Sequence, residues 1–258
     1  MSCSIVMPAF NAVQYIESAI MSVQAQSYTL WELIVVDDGS DDGTVDVVKR
    51  MADLDSRIKL IQLPGNSGAA YARNAGIMLA TGRFIAFLDS DDVWLPEKLD
   101  VQLNFMMENK AAFSFTSYFR MDRYGNECGV IGVPSKVDYR TLLKTCVIGC
   151  LTVVYDTMLI GKVNMPSGTG REDFATWLSI LKRVDYAFGI NQTLAKYRVY
   201  DDQSSARKTQ MAMENWRLYR NIEKLSLPTS LYYFSHYAVR GVLRKTFPEL
   251  ARLIGVLD

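Results

Sequence analysis

Short apolar runs alternate with amphipathic segments along the N-terminal part of the chain. The runs have the length and the branched composition of buried strands, and the intervening segments repeat apolar residues every three or four positions, as one face of a helix does. The predicted strands are residues 4–7, 31–36, 58–63 and 84–88, and the predicted helices are residues 12–26, with Asn11 as N-cap, 44–52 and 68–79. This alternation predicts an α/β fold with a mostly parallel central sheet.

The rest of the chain follows a less regular pattern. Here the predicted helices are residues 97–109, 172–182, 210–225 and 228–246, and the predicted strands are residues 112–119, 152–155 and 193–199. The change of pattern divides the chain into residues 1–95, 96–205 and a helical C-terminal extension, 206–258.

Composition narrows the classes of function. Lys and Arg together number 28, as do Asp and Glu, so the net charge is zero and a whole-protein basic field for nucleic acid is excluded. His236 is the single histidine, and Cys146 and Cys150 have no second pair beside them, so a metal site must rest mainly on carboxylates. Carboxylates suit Mg²⁺ or Mn²⁺ better than zinc.

The N-terminus lacks the pattern of a signal peptide, and no apolar run reaches the ~18–20 residues of a membrane span. We therefore expect a cytoplasmic protein. Charge is nevertheless uneven, because residues 205–258 contain nine basic and four acidic residues, a net +5 against −5 for the remainder. Such a basic end suits an anionic phosphate or lipid surface, and the alternative is a solvated helical face.

Polar residues follow three of the predicted strands, at residues 8–11, 37–40 and 89–92. Ligands of parallel sheets collect at these carboxyl ends. Asp89 and Asp91 lie two positions apart on a turn, where they can hold one divalent cation that stabilises a diphosphate leaving group. The alternative is that Asp89 and Asp91 form only a turn followed by a helix cap. We interpret Asp92 as such a turn or cap residue.

Two further segments have equally open interpretations. Asp37-Asp38-Gly39-Ser40 has the composition of a common turn. Alternatively, a carboxylate of this segment accepts hydrogen bonds from a base or ribose. Gly65-Asn66-Ser67-Gly68, with Arg73 about one turn into the next helix, can bring backbone N–H groups and a cation to a phosphate. The loop matches neither the P-loop nor the GxGxxG fingerprint.

Taken together, these segments form an ordered set. They are Ile5-Val6-Met7-Pro8-Ala9-Phe10-Asn11, Val35-Val36-Asp37-Asp38-Gly39-Ser40, Asn66-Ser67-Gly68 with Ala72-Arg73-Asn74-Ala75-Gly76, and Phe87-Leu88-Asp89-Ser90-Asp91-Asp92. Over residues 3–200 the sequence resembles the family 2 glycosyltransferases of the GT-A fold, closest to those of bacterial cell-surface polysaccharides. The resemblance implies an inverting transferase with a Rossmann-like half, residues 1–95, that binds a UDP-sugar donor, and an acceptor half, residues 96–205.

The resemblance also implies roles for individual residues of the donor half. Asp38 would accept a hydrogen bond from the base, Asp89 would face the ribose and the metal region, and Asp91 would bind Mn²⁺ or Mg²⁺ directly. The remaining residues implied in nucleotide-sugar binding are Pro8, Ala9 and Phe10 at the uracil, together with Asn11, Arg73 and Ser90.

In the acceptor half, the resemblance matches Glu172-Asp173 to a Glu-Asp pair that opens a helix and supplies the general base, here Asp173. The chemistry agrees, because inversion needs one carboxylate to deprotonate the acceptor hydroxyl. Without the resemblance, Asp173 would be a plain helix-start acid. Glu172 would bind the acceptor, and Trp177 is either a platform for the acceptor sugar or a core residue.

One position departs from the family pattern. Many relatives place a histidine near the diphosphate or metal after a Tyr-Arg pair, whereas here Tyr197-Arg198-Val199 precedes Tyr200. We therefore expect a different metal shell on that side, for which Asp201 and Asp202 are candidates.

The implied acceptor is a growing surface glycan, such as an O-antigen, on a lipid-diphosphate carrier. One alternative is an inactive sugar-binding or assembly subunit, against which the intact Asp38, Asp91 and Asp173 argue. Another is a nucleotidyltransferase or sugar-nucleotide hydrolase, which the absence of a basic Gly-rich N-terminal loop disfavours.

The predicted helix over residues 228–246 combines many aromatic residues with Arg240, Arg244 and Lys245. This combination predicts peripheral association with the inner face of the cell membrane. The alternative is that the aromatic residues pack against the catalytic domain or against a second subunit of a homo-oligomer.

Overall fold

The computed structural model describes residues 1–200 and 205–246. Its strands are β1 (Cys3–Ala9), β2 (Trp31–Asp37), β3 (Ile58–Gln62), β4 (Phe84–Phe87), β5 (Val93–Trp94), β6 (Phe113–Met121), β7 (Glu127–Ile131), β8 (Lys136–Val137), β9 (Val154–Asp156) and β10 (Ala187–Arg198). Its helices are α1 (Ile16–Gln24), α2 (Thr44–Leu54), α3 (Ala69–Leu79), α4 (Lys98–Glu108), α5 (Tyr139–Lys144), α6 (Thr157–Ile160), α7 (Glu172–Leu181), α8 (Ser205–Arg217) and α9 (Leu227–Thr246).

The strands form one sheet in the spatial order β3-β2-β1-β4-β9-β6-β10-β5, with β7 beside β6 and β8 beside β10. The first four are parallel, as the sequence predicts, because the helices α1, α2 and α3 return the chain between the successive strands β1 to β4. Beyond β4 the sheet is mixed, since β9 is antiparallel to both β4 and β6 whereas β6 and β10 are parallel. The predicted α/β fold with a mostly parallel central sheet is confirmed.

Both faces of β1, β2 and β4 are buried, which explains their continuous apolar composition. Successive side chains point to opposite faces, so Ile5 and Met7 join one hydrophobic cluster with α1 and α2, while Val6 joins another with α3 and α7. Gly76 of α3 lies directly over Val6, where an ideal Cβ would come within 2.5 Å of a Val6 methyl group. The close approach of α3 to β1 therefore requires glycine.

The pattern located some element ends incorrectly. Asn11 is not an N-cap, because α1 begins at Ile16 and Asn11 adopts a left-handed φ of 47° that asparagine tolerates. The first half of β10 was missed, since register shifts near Ile190 and Thr193 break the two-residue period. The short β5 and β8 and the exposed β7 were missed as well, because none of them carries a buried apolar run.

Beyond β10, α8 and α9 pack on the second half of the molecule. The Tyr219 hydroxyl donates a hydrogen bond to the Leu143 carbonyl at the end of α5 (2.6 Å), and the Tyr233 ring is buried. None of the helices in the described ranges is long and apolar enough to cross a membrane. The division of the chain at residues 95 and 205 stays a prediction, and Asp201 and Asp202 lie outside the described residues.

Candidate active site

Two adjoining cavities open at the carboxyl ends of β1, β2 and β4. The first has a volume of about 380 Å³, and its wall consists of Pro8, Ala9, Phe10, Asp38, Asn66, Gly68, Ala69, Ala72, Arg73, Asp89, Ser90 and Asp91. The second, of about 320 Å³, is lined by Arg73, Asp89, Tyr118, Gly149, Cys150, Leu151, Glu172, Asp173 and Tyr197. Arg73 and Asp89 belong to both walls, so the fold brings the predicted donor residues and the predicted base to one place.

Asp38 organises the first cavity. Its two carboxylate oxygens accept hydrogen bonds from the backbone N–H groups of Ser67 (2.8 Å) and Gly68 (2.7 Å), at the entry to α3. Gly68 has a φ of 92°, a conformation that glycine adopts without strain. Asp38 thereby ties the turn after β2 to the start of α3 and still faces the cavity.

Asn11 lies beside this cavity rather than in its wall. Its side-chain oxygen accepts a hydrogen bond from the Asp41 N–H (3.0 Å), and its own N–H donates to the Ser40 hydroxyl (2.9 Å). The side chain therefore holds the turn after β1 against the turn after β2. The structure does not bring Asn11 together with the other predicted donor residues.

Arg73 and Asp89 form an ion pair in the partition between the cavities, with 2.5 Å between Nη2 and Oδ1. Burial by itself would lower the pKa of Arg73, but the charges of Asp89 and Asp173 contribute to a net rise. The guanidinium consequently stays charged although its side chain is only 11% exposed. Its Nε is buried without a hydrogen-bond partner.

Asp91 is surrounded by groups from the end of β10 and the residues that follow. The Tyr200 hydroxyl donates a hydrogen bond to Asp91 Oδ2 (2.8 Å), and Arg198 Nε donates to the Asp91 carbonyl (2.8 Å). Burial and the nearby charge of Asp89 raise the pKa of Asp91. Asp92 is a turn residue, as expected, whose Oδ1 accepts a hydrogen bond from the Arg198 N–H (2.8 Å).

Glu172 and Asp173 occupy the first turn of α7, at the positive end of the helix dipole. Asp173 Oδ1 accepts a hydrogen bond from the Phe174 N–H (2.7 Å), and Glu172 Oε1 accepts one from the Gly170 N–H (3.1 Å). Both residues are half-buried and reach the second cavity. A carboxylate that is ionised and faces a cavity can accept a proton from a bound hydroxyl group.

Comparison with known proteins decides the family. The family model described as "Glycosyl transferase family 2" matches residues 4–145. This chain belongs to glycosyl transferase family 2. The family 2 chain is 43% identical over 243 residues to a Bacillus subtilis (strain 168) protein that carries the name teichuronic acid biosynthesis glycosyltransferase TuaG, covering 94% of this chain and 96% of that protein.

A second relative of the family 2 chain is the Escherichia coli protein named UDP-Glc:alpha-D-GlcNAc-diphosphoundecaprenol beta-1,3-glucosyltransferase WfgD. The two are 38% identical over 245 residues, which is 95% of each chain. Among solved structures, S. aureus TarS 1-349 in complex with UDP-GlcNAc superimposes with a TM-score of 0.70 at 20% identity, covering 99% of this chain and 79% of that one. The mannosyltransferase PcManGT from Pyrobaculum calidifontis, in complex with GDP-Man and Mn²⁺, gives 0.67 at 17% identity, covering 98% and 78%. The predicted GT-A fold is confirmed.

Trp177 of this family 2 enzyme requires a correction. The prediction left open whether it is a platform for the acceptor sugar or a core residue, and the structure buries it completely between Phe87 and Phe113. An indole that stacks on a sugar needs one free face. Trp177 has none, so the platform role is wrong and the core role is correct.

The carboxylates beside the first cavity fit a divalent cation. Asp89 and Asp91 concentrate negative charge in a partly buried position, and Asp92 Oδ2 is buried without a hydrogen-bond partner. Within residues 1–200 and 205–246, no three His, Cys, Asp or Glu side chains converge as a complete metal site. The protein would therefore provide two carboxylates, and phosphate oxygens and water would complete the shell, as is usual for hard cations.

Sequence reasoning missed several residues that line the second cavity. They are Tyr118 of β6, Cys150 and Leu151 of a short 3₁₀ turn, and Gly149 directly before that turn. Their types carry no chemical signature, so no local signal identifies them. The contact between Tyr200 and Asp91 was also missed, because it joins residues 109 positions apart.

Proposed function

We propose that the chain is an inverting glycosyltransferase that moves a sugar from a UDP-sugar to a hydroxyl group of a lipid-diphosphate-linked surface glycan. The observation that carries this proposal is the pair of cavities that share Arg73 and Asp89, with Asp173 facing the second. A donor whose sugar end reaches the shared partition would meet an acceptor hydroxyl there. UDP-GlcNAc in the TarS structure and UDP-Glc in the name of WfgD support a UDP-sugar donor.

The residues of the first cavity would bind the nucleotide and the diphosphate. Pro8, Ala9 and Phe10 provide a short wall for the base, and Phe10 is 46% exposed, which leaves ring surface free for stacking. Asp38 would accept a hydrogen bond from the base with the lone pairs that the backbone N–H groups leave free. The Arg73 guanidinium would lie near the diphosphate, with Ser90 beside it.

Mn²⁺ or Mg²⁺, held by Asp91 and Asp89, would supply positive charge to the departing UDP. Asp173 would accept the proton of the acceptor hydroxyl as the new bond between this oxygen and the anomeric carbon forms. The bond from that carbon to the β-phosphate oxygen breaks, and its electron pair leaves with UDP. A single carboxylate suffices for this displacement, whereas retaining hydrolysis places a second one as nucleophile.

Glu172, beside Asp173 in the first turn of α7, would contact the acceptor in the second cavity. The names of two relatives support this acceptor: WfgD is named for a diphosphoundecaprenol-linked sugar and TuaG for teichuronic acid. We extend this to the present chain as a lipid-diphosphate-linked intermediate of a surface polysaccharide such as an O-antigen. With such a carrier and a UDP-sugar donor, the enzyme would work at the cytoplasmic face of the membrane.

The test compares Asp173→Asn with Asp46→Asn, a matched exchange of an exposed acid in the first turn of α2. With radiolabelled UDP-sugars and lipid-linked acceptors, we expect Asp173→Asn to lower kcat by about 10²–10⁴-fold, the usual contribution of a general base. The thermal shift caused by UDP should not change, because the base meets only the acceptor. If Asp173→Asn retains most of the wild-type kcat, another carboxylate is the base, and release of free sugar without an acceptor would identify a hydrolase.

A further inference from the structure

The structure resolves the open question about the aromatic residues of α9 by dividing them between two faces. Tyr233 is buried, and Phe234 packs edge-on against Trp216 of α8 at 5.5 Å between ring centroids. The face turned away from these two rings is apolar and more than half exposed at Leu231, Tyr232 and Val239. Within the part of the chain that the structure describes, nothing covers this face.

Basic groups flank the exposed face. Arg240 follows His236 by about one turn of α9, and Lys144 is the last residue of α5, which packs against α9. The Tyr232 ring contacts the His236 imidazole at 4.7 Å between centroids. The exposed apolar positions therefore adjoin the part of α9 that carries His236 and Arg240. We call Leu231, Tyr232, Val239, His236, Lys144 and Arg240 the α9 patch; the first three are apolar, and Lys144 and Arg240 are cations.

The sequence of α9 adds a third observation. Its 20 residues include no aspartate or glutamate. An exposed apolar face with a basic edge and no acid has the composition of a helix that lies in the interface of an anionic bilayer. There, aromatic and aliphatic side chains enter the headgroup region while Lys and Arg remain near the phosphates.

We propose that the α9 patch docks the enzyme on an anionic lipid surface, with Lys144 of α5 as part of the contact. A second copy of the chain fits less well, because a two-fold interface centred on this face would bring Lys144 and Arg240 close to their own counterparts without an acid from α9 to compensate. An anionic surface meets both the apolar and the basic part of the patch.

The two helices that carry the patch, α5 and α9, do not line the second cavity but are connected to elements that do. Gly170, two residues before Glu172, approaches α8 so closely that an ideal Cβ would come within 2.3 Å of the Glu214 carboxyl carbon. The turn after α8 is bonded to α5 through Tyr219, and α5 contacts both α7 and α9. Docking through α9 and α5 would therefore hold the acceptor side of the molecule toward the lipid.

The experiment is co-sedimentation of the full chain with phosphatidylglycerol vesicles and with neutral phosphatidylcholine vesicles. The charge variant is Lys144→Glu with Arg240→Glu, and its matched control is Lys49→Glu with Arg50→Glu, two exposed cations of α2 on the first half of the molecule. The apolar variant is Leu231→Ser, and its control is Leu54→Ser, since Leu54 is an even more exposed leucine at the end of α2. The thermal shift with UDP verifies that each variant is folded.

We expect binding to anionic vesicles only, reduced by added salt and about tenfold or more weaker in the charge variant, with both controls unchanged. Leu231→Ser should also weaken binding. Absence of pelleting, equal pelleting with both lipids, or equal losses in the controls would overturn the proposal. A dimer in light scattering that Leu231→Ser converts to a monomer would also overturn it and assign the face to a second copy. Vesicle binding needs no turnover, so the result is independent of the proposed transferase activity.

Discussion

Lys98 is a buried ionisable residue that lowers the stability of the fold without taking part in the candidate site. Its side chain is completely buried, Nζ donates a hydrogen bond to Gln102 Oε1 (2.6 Å), and it lies 4.4 Å from the centre of the Trp94 ring. Burial lowers the pKa of Lys98 to about 7, although the nearby Cys3 thiol acts in the opposite direction. The unfolded chain, with a lysine pKa near 10.4, therefore binds a proton that the folded chain lacks in mildly alkaline solution.

This difference predicts a pH dependence of stability. Because the unfolded state binds more protons, the free energy of unfolding should rise with pH between about 7 and 8.5, with a slope approaching 1.4 kcal/mol per unit. Lys98→Met should remove this slope, and Lys49→Met, at an exposed lysine, should not. Urea unfolding at several pH values measures the slope of the free energy of unfolding against pH. Equal slopes in all three proteins would contradict the assignment.

The upper limit of this range has its own cause. Burial raises the pKa of Cys3 to about 12, so above roughly pH 8.5 the thiol ionises only in the unfolded state, which opposes the gain from Lys98.

Asp91 is the residue on which the proposed metal dependence rests. Asp91→Ala should abolish transfer and eliminate the additional thermal stabilisation that Mn²⁺ gives to the UDP complex, because a carboxylate that would join metal to diphosphate is lost. Asp53→Ala, at an exposed acid of α2, serves as the control. Persistence of the Mn²⁺ effect in Asp91→Ala would assign the cation to other ligands.

At the scale of elements, Arg198 connects the end of β10 to the β4–β5 turn and to the β6–β7 turn. Its Nε donates to the Asp91 carbonyl, its Nη1 donates to the carbonyls of Asp122 (3.1 Å) and Arg123 (3.0 Å), and the guanidinium lies over the Tyr15 ring at 4.3 Å. A planar guanidinium can serve all these acceptors at once, whereas an ammonium group is a single point. The β4–β5 turn that carries Asp91 thus depends on β10.

We therefore expect Arg198→Lys to lower the free energy of unfolding by about 1–3 kcal/mol, the usual cost of buried hydrogen-bond acceptors left without donors. The metal-dependent affinity for UDP should fall as well, because the Asp91 backbone loses its support. Arg120→Lys, on the exposed side of β6, is the matched control. Unchanged stability and UDP affinity in Arg198→Lys would show that the contacts are energetically neutral.

For the molecule as a whole, the sequence predicted the parallel half well because local patterns determine it. Continuous apolar runs buried on both faces produced β1, β2 and β4, and the polar residues directly after them produced the first cavity. Apart from Arg73 and Asp89, which it shares with the first cavity, the second cavity was predictable only at Glu172 and Asp173, through the family resemblance. Its other lining residues come from β6, β10 and the turn near Cys150, and only tertiary pairing brings these together.

Trp177 and α9 show the limit of periodicity. Helical spacing correctly predicted both helices, but spacing does not tell whether an apolar face meets protein, sugar or lipid. The direction of the Trp177 ring depends on Phe87 and Phe113, which precede it by 90 and 64 positions. The division of α9 into a buried and an exposed face depends similarly on α5 and α8.

The sheet order has a consequence for building chimaeras from related enzymes. β9, from the later part of the chain, pairs with β4, and β5, from the first 95 residues, pairs with β10 at the opposite end of the sheet. The two halves are therefore interleaved rather than joined end to end. A hybrid spliced at residue 95 would pair strands from two different enzymes at β4–β9 and at β5–β10. Mismatched side chains and unpaired strand edges at these two places favour aggregation. Exchanging donor preference between homologues is better attempted by grafting the turns after β1, β2 and β4 onto an intact sheet.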